Sequence, residues 1–346
     1  ICACLVGSEM CIRDSTCTAD IGLMSISYTC FDGESSFSHA LSLTTTGVNT
    51  SRLNRLEHFV SDFPAEGIHM SGEALHSQLD EIERIHGLYS PAALGLASAL
   101  ACGAFTFLLG GGPLEMILAF AGAGIGNAIR CKLGKHHFTL FMCIAVSVSS
   151  ACLVYAGFLK LAELLFHISV QHEAGYICSM LFIIPGFPFI TSGIDLAKLD
   201  LRSGLERLAY AIIIVMVATM FAWIMALLLR LQPMDFEDLD LGPVLHLILR
   251  LIMSFFGVFG FSIMFNSPAS MAATAALIGA IANSLRLELV DLTGMPAPAA
   301  AFAGALTAGL LASFIKENNG YPRISLTVPS IVIMVPGLYL YRAIYN

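Results

Sequence analysis

Polar and apolar residues along this chain alternate first with a period of two, then of three to four, and after Pro91 the polar positions thin out almost completely. The stretch Ile21-Gly-Leu-Met-Ser-Ile-Ser-Tyr-Thr-Cys and, after Phe31-Asp-Gly-Glu, the stretch Phe37-Ser-His-Ala-Leu-Ser-Leu-Thr-Thr read as two half-buried strands around an Asp-Gly turn. From Asn49 to Phe63 and from Ser71 to Ile85 the spacing becomes helical. In the second helix Leu75, Leu79, Ile82 and Ile85 share a face, behind a Ser71 cap with Glu73 in the first turn. Residues 16–90 are therefore expected to form a small α+β domain. Asn49-Thr50-Ser51 has the form of a glycosylation sequon, which the topology below sets aside.

Beyond Pro91 the pattern predicts nine spans near the ~20 residues a helix needs to cross a bilayer. They cover 91–109, 113–129, 138–159, 174–190 and 208–231, then 242–265, 270–285, 296–315 and 324–341. Two of them carry a break inside the apolar run. Phe182-Ile-Ile-Pro-Gly-Phe-Pro-Phe-Ile-Thr-Ser-Gly-Ile-Asp195 places Pro185, Gly186 and Pro188 there, and Ile333-Met-Val-Pro-Gly-Leu places Pro336 and Gly337 there, 151 positions further on. A break at membrane depth frees backbone groups that water cannot reach, so protein or ligand must satisfy them. Other landmarks recur in the same order: Asn127-Ala-Ile-Arg130 ends the second span and Asn283-Ser-Leu-Arg286 the seventh, with Pro113 and Pro268 ahead of them. Five spans per copy is odd, so the second copy is expected upside down relative to the first, as in many secondary transporters. The fold class expected is mostly α, a multi-pass membrane protein. The first five-helix repeat is placed at 91–231, an acidic outer loop at 232–241, and a second repeat at 242–346 with four helices, a tenth being expected after Asn346.

Composition sharpens this picture. Hydrophobic residues make up 57% of the chain and charged ones only 12%, against roughly 25% charged in ordinary soluble domains, and mean hydropathy is +0.80. The net charge of −8 is concentrated in clusters such as Asp235, Glu237, Asp238 and Asp240, which suit a solvated loop and argue against nucleic acid. Eleven Lys and Arg, including Arg52, Arg130 and Lys198, fall in segments on the side of the N-terminus, and four (Lys160, Arg230, Arg286 and Arg342) on the other. That bias places the N-terminus in the cytoplasm of a cell (plasma or inner) membrane protein. Residues 1–15 resemble neither a signal peptide nor the rest of the chain and are read as a non-native leader; were they native, Cys2, Cys4, Cys11 and Cys17 would invite a metal reading, but in no standard zinc spacing. Cys102, Cys131, Cys143, Cys152 and Cys178 read as small core residues. No His-Glu-x-x-His, Gly-x-Ser-x-Gly or Walker loop occurs, so neither an enzyme, a cofactor, a metal nor ATP drive is expected, and an ion gradient is left as the energy source.

Candidate chemistry centres on the breaks. Pro185-Gly186 and Pro336-Gly337 each expose a half-helix end able to hold a carboxylate or cation near mid-membrane, the alternative being an ordinary kink. Asn127 and Asn283 suit either a zwitterionic substrate or an inter-helix clamp. Asp195, nearest the apolar run in the charged stretch 195–207, is the candidate proton-coupling carboxylate. Arg250, one turn after His246, and Glu115, near the start of its span, read as structural, Arg250 by snorkelling. Gly122-Ala-Gly-Ile-Gly126 reads as close helix packing. A hydrolase built on His69, Ser71 and Glu73 is the reading from another class, with helix capping the simpler account of Ser71 and Glu73.

Leu181-Phe-Ile-Ile-Pro-Gly-Phe-Pro-Phe-Ile-Thr-Ser-Gly-Ile-Asp195 with Ser203-Gly-Leu-Glu-Arg-Leu-Ala209, Thr50-Ser-Arg-Leu-Asn-Arg-Leu-Glu, Leu108-Leu-Gly-Gly-Gly112 and the closing run from Val328 resemble the landmarks of the threonine/serine exporter family. The likeness covers almost everything from Ile21 onward; Lys198-Leu-Asp200 departs from a more usual Gly-Asp pair. The resemblance implies a cytoplasmic N-terminal domain, two five-helix units and gradient-driven export of threonine and serine, with dicarboxylate (succinate) export as the alternative seen in split relatives. It implies as partners a small amino acid, protons and the lipid bilayer, with a homo-oligomer among the arrangements left open.

Overall fold

The computed structural model describes residues 16–31, 33–43, 46–65, 67, 70–85, 87–167, 172, 174–232, 236, 239–335 and 337–345. Three strands come first, β1 (Thr16–Ile21), β2 (Ser25–Phe31) and β3 (Ser36–Ser42), then α1 (Thr50–Asp62) and α2 (Gly72–Glu83). Next come α3 (Pro91–Leu108), α4 (Pro113–Lys135), α5 (Leu140–Phe166), α6 (Gly175–Ser179), a 3-10 turn (Leu181–Ile183), α7 (Gly186–Ala197) and α8 (Leu201–Leu229). The last five are α9 (Pro243–Met264), α10 (Ala269–Thr293), α11 (Ala297–Asn319), α12 (Arg323–Val332) and α13 (Gly337–Tyr345). The chain divides into two compact units, Ile1–Ile85 with Pro188–Tyr210, and His86–Phe187 with Ala211–Asn346.

In the first unit the strands form one antiparallel sheet in the order β1-β2-β3. The alternation that predicted a single strand after Ile21 is divided by a tight turn, in which the Gly22 N–H donates to Ser25 O at 2.7 Å, so a third strand precedes the expected pair. Phe31 faces Ser36 across the expected hairpin, where Gly33 takes φ 96° and Asp32 lies outside the described residues. Cys17 and Cys30 face each other across β1 and β2 and are joined by a disulfide, which removes Cys17 from any metal reading. Helices α1 and α2 begin as their sequences dictate. The Asn49 side chain accepts from Arg52 N at 3.0 Å and Ser71 Oγ from Ala74 N at 3.3 Å, each satisfying an amide that the first turn leaves open. Arg52 Nη2 donates to Glu83 O (2.7 Å) and Ile85 O (2.9 Å), fastening α1 to the end of α2. The face predicted for α2 is not buried: the helix has no buried residue, and Leu79 is 39% exposed.

The charged stretch 195–207, expected to be mostly a solvated hairpin, is helical on both sides of a short turn. Leu199 takes φ 64° there, and Asp200 Oδ1 accepts from Ser203 N at 3.2 Å, so α8 starts seven residues before the predicted 208. Its first turns bind the sheet: Arg202 pairs with Asp20, Ser203 Oγ donates to Ile21 O, and Glu206 Oε2 accepts from Leu23 N at 2.6 Å.

In the second unit the helices are apolar on most faces and must therefore pack through shape rather than through exclusion of water. Small residues allow this. A Cβ on Gly122 would come within 2.9 Å of Ala151 O and of Ser179 Cβ, one on Gly126 within 2.9 Å of Ser147 O, and one on Gly124 within 3.1 Å of Ala99 Cβ. The glycine run expected to serve helix packing thus sets α4 against α3, α5 and α6. Among the described residues seven helices are long and apolar enough to cross a membrane: α3, α4, α5, α8, α9, α10 and α11. The two other predicted spans, 174–190 and 324–341, are built from shorter pieces, as a break within the span requires. The five cysteines expected as core residues are unbridged; Cys102, Cys143, Cys152 and Cys178 are buried and Cys131 partly so.

Candidate functional site

Each broken span stops in the same way. Before the first break Ile183 N donates to Met180 O (3.0 Å), Ile184 N to Leu181 O (3.1 Å) and Gly186 N to Ile184 O (2.8 Å). Before the second, Met334 N donates to Ile331 O (2.9 Å), Val335 N to Val332 O (3.2 Å) and Gly337 N to Val335 O (2.8 Å). Every bond of the first set recurs 151 positions later. The cause is local: a proline at position 185 can neither donate nor continue the helix, so the chain tightens into a 3-10 turn and a three-residue turn before a new helix starts at the glycine. Pro336, the counterpart, lies outside the described residues.

The two breaks also meet. A Cβ on Gly186 would collide with Val332 and reach Val335 at 3.6 Å, while one on Gly337 would lie 3.0 Å from Ile184 and 3.2 Å from Leu181. Leu181 and Ile184 are the 151-residue counterparts of Val332 and Val335, so the contact is reciprocal, as a two-fold axis between repeats requires. Gly186 and Gly337 are the first residues of α7 and α13, so the N-terminal ends of two helices meet at one place. Phe105, Leu181, Ile184, Gly186, Phe261, Val332, Val335 and Gly337 line the narrow space between them, about 10 Å³ for the centre of a water-sized sphere, which is the room of about one water molecule. Beside it Tyr176 of α6 and Tyr341 of α13 join hydroxyls at 2.8 Å with their rings edge to face.

The predicted asparagines occupy equivalent places elsewhere. Asn127 Nδ2 donates to Leu94 O at 2.8 Å, tying α4 to α3, and Asn283 Nδ2 donates to Ser254 Oγ at 2.9 Å, tying α10 to α9. Both amides are buried, their Oδ1 atoms have no hydrogen-bond partner among the described residues, and neither residue lines the space between the breaks. The structure therefore brings Gly186 and Gly337 together, while Asn127 and Asn283 each bond within their own helix pair. Asp195 lies in α7, is 7% exposed, and pairs with Arg207 of α8 at 2.8 Å.

Three polar groups take partners that the pattern alone does not indicate. Arg250 pairs with Glu288 at 2.7 Å and with Asp291, from one helix to the next. His246 instead sets its ring edge-on against Phe107. Glu115 is 5% exposed, and its Oε1 lies 2.6 Å from His172 Nδ1, a partner 57 residues away that no local spacing signals. In the first unit Ser71 acts as a helix cap, and His69 lies outside the described residues, as do Asp235, Glu237 and Asp238 of the acidic loop and the leader 1–15. Among the described residues no group of three or more His, Cys, Asp or Glu side chains is placed to hold a metal ion.

Neither a curated protein nor a solved structure matches the chain. Two family models do: that of the threonine/serine exporter ThrE over residues 12–229, and a second model, Threonine/Serine exporter, ThrE, over 250–346. The matches lie on either side of the acidic loop, one covering the first broken span and the other the second. With seven apolar helices of membrane-crossing length and two facing helix breaks, the chain is a multi-pass membrane protein that belongs to the threonine/serine exporter family.

Proposed function

We propose that the chain is a secondary transporter that exports threonine, serine or similarly small polar amino acids, driven by the proton gradient, from a binding place between the two broken helices. The observation that carries this reading is the convergence of the α7 and α13 N-termini at Gly186 and Gly337. Two positive helix ends suit the carboxylate of an amino acid, whose small side chain would rest against Phe105 and Phe261. An amino acid needs more room than about one water, so the breaks must part for substrate to enter, first toward one side of the membrane and then toward the other. The inverted repeat supplies two such halves, 91–231 and 242–346, with the domain at 16–90 and the N-terminus on the cytoplasmic side. Pro185 and Pro336 hold the breaks, Asn127 and Asn283 hold the helices behind them, and Asp195 exchanges its proton for its ion pair with Arg207.

Efflux of preloaded labelled threonine and serine from vesicles, with and without an imposed proton gradient, tests the reading. Gradient-dependent efflux is expected. Absence of efflux for both, with counterflow of labelled succinate instead, would replace amino acids by dicarboxylates. Asp195→Asn should abolish the gradient-dependent part while the protein stays in the membrane; unchanged efflux would remove Asp195 from the mechanism.

A further inference from the structure

We infer that Glu115 and His172 together form a one-proton site, separate from Asp195, that loads the proton which drives export. This rests on the exporter reading above. Glu115 is the third residue of α4, at the end of the helix layer where α3 finishes and α5 ends, which the distribution of basic residues places on the outer side. Its carboxylate is 5% exposed; Oε1 is 2.6 Å from His172 Nδ1, and Oε2 is buried with no hydrogen-bond partner among the described residues. The His172 side chain keeps 20% of its surface exposed. The Tyr155 hydroxyl donates to His172 O at 2.6 Å, holding the histidine backbone in place over the carboxylate.

The charges decide what such a pair does. With neutral His172 the pair carries one buried negative charge, which low-dielectric surroundings penalise heavily. Taking up one proton, on His172 or on the open Oε2, makes the pair neutral overall; releasing it restores the charge. A group that alternates between these states changes the electrostatics of the α4 end by one full unit. Cys178 of α6, buried, lies near both Glu115 and Arg342 of α13, and the Tyr155 hydroxyl of α5 bonds His172 O. Arg342 stands one position after Tyr341, whose hydroxyl bonds Tyr176 beside the breaks.

Glu115→Gln in proteoliposomes separates coupling from binding. Exchange of internal for external labelled threonine needs no net proton movement and should persist, whereas the acceleration of net efflux by an acid exterior should be lost; His172→Gln should shift the pH at which that acceleration appears. Glu115→Gln responding to the gradient as the wild type does would overturn the proposal. Should Glu115→Gln lose exchange as well, Glu115→Asp decides: recovery of the gradient response supports a proton-carrying carboxylate, and failure of both variants assigns the pair a structural role and overturns it. A wild type with no gradient response would instead sink the proton-driven reading itself, leaving exchange to report on binding alone.

Discussion

Asn127 and Asn283 show how a residue's neighbours bear on its role. Each is a buried amide with one hydrogen bond across a helix pair, and membrane helices gain on average about 0.6 kcal/mol from such a bond, up to about 1.7. Asn127→Ala and Asn283→Ala should therefore lower thermal stability in detergent by about that much, with efflux per folded molecule unchanged. A variant of full stability that failed to bind substrate would move the amide from clamp to site. Burial also explains why Arg250 and Glu115 read ambiguously from the sequence. Arg250 finds its partners 38 and 41 residues away, and Glu115 finds His172 at 57. Ion pairs across helices leave no periodic trace, so a lone charge in an apolar run announces that it needs a partner but not which one.

Elements were legible where backbone chemistry is strict. Pro185 and Gly186 forbid a continuous helix, and the break stands where they do; the cap at Ser71 likewise begins α2 as its side chain requires. Less was legible where tertiary contacts overrule pattern. The turn at Gly22 hides within an alternating run, and the charged residues of 201–207, polar enough for a loop, are drawn into α8 by Asp20, Ile21 and Leu23 of the sheet. The glycines of α4 carry the sharpest element-level prediction. Gly126 faces Ser147 O, Ala151 and Phe182 at 2.9 to 3.0 Å from where a Cβ would stand, so Gly126→Leu should cost about 1–3 kcal/mol by overpacking. Thermal unfolding in detergent reads this directly, and a neutral effect would mean that α4 and α5 are free to separate.

At the scale of the whole molecule, the breaks and their 151-residue repetition matter more than any single helix. Because Gly186 meets Val332 and Val335 while Gly337 meets Ile184 and Leu181, methyl groups added at the two glycines intrude on equivalent walls. Gly186→Ala and Gly337→Ala should reduce threonine efflux to similar extents, each strained by about 1–3 kcal/mol. A large effect at one glycine and none at the other would show that only one break works. Repetition of this kind was visible in the sequence because Pro-Gly pairs are rare within apolar runs. The meeting of the two breaks was not visible, since spacing along a chain says nothing of which spans become neighbours.

The hydroxyl bond between Tyr176 and Tyr341 breaks that likeness between halves. Their counterparts under the 151-residue shift are Thr327 and Ile190; isoleucine has no hydroxyl, and Thr327 Oγ1 is buried without a hydrogen-bond partner among the described residues. Two copies related by symmetry would give states open to opposite sides nearly equal energies, and a bond between the halves that has no symmetry-related mate tilts that balance. A net hydrogen bond worth about 1 kcal/mol corresponds to about a fivefold preference between the states. On the alternating-access reading proposed above, Tyr341→Phe should shift the balance between the two states by about that factor.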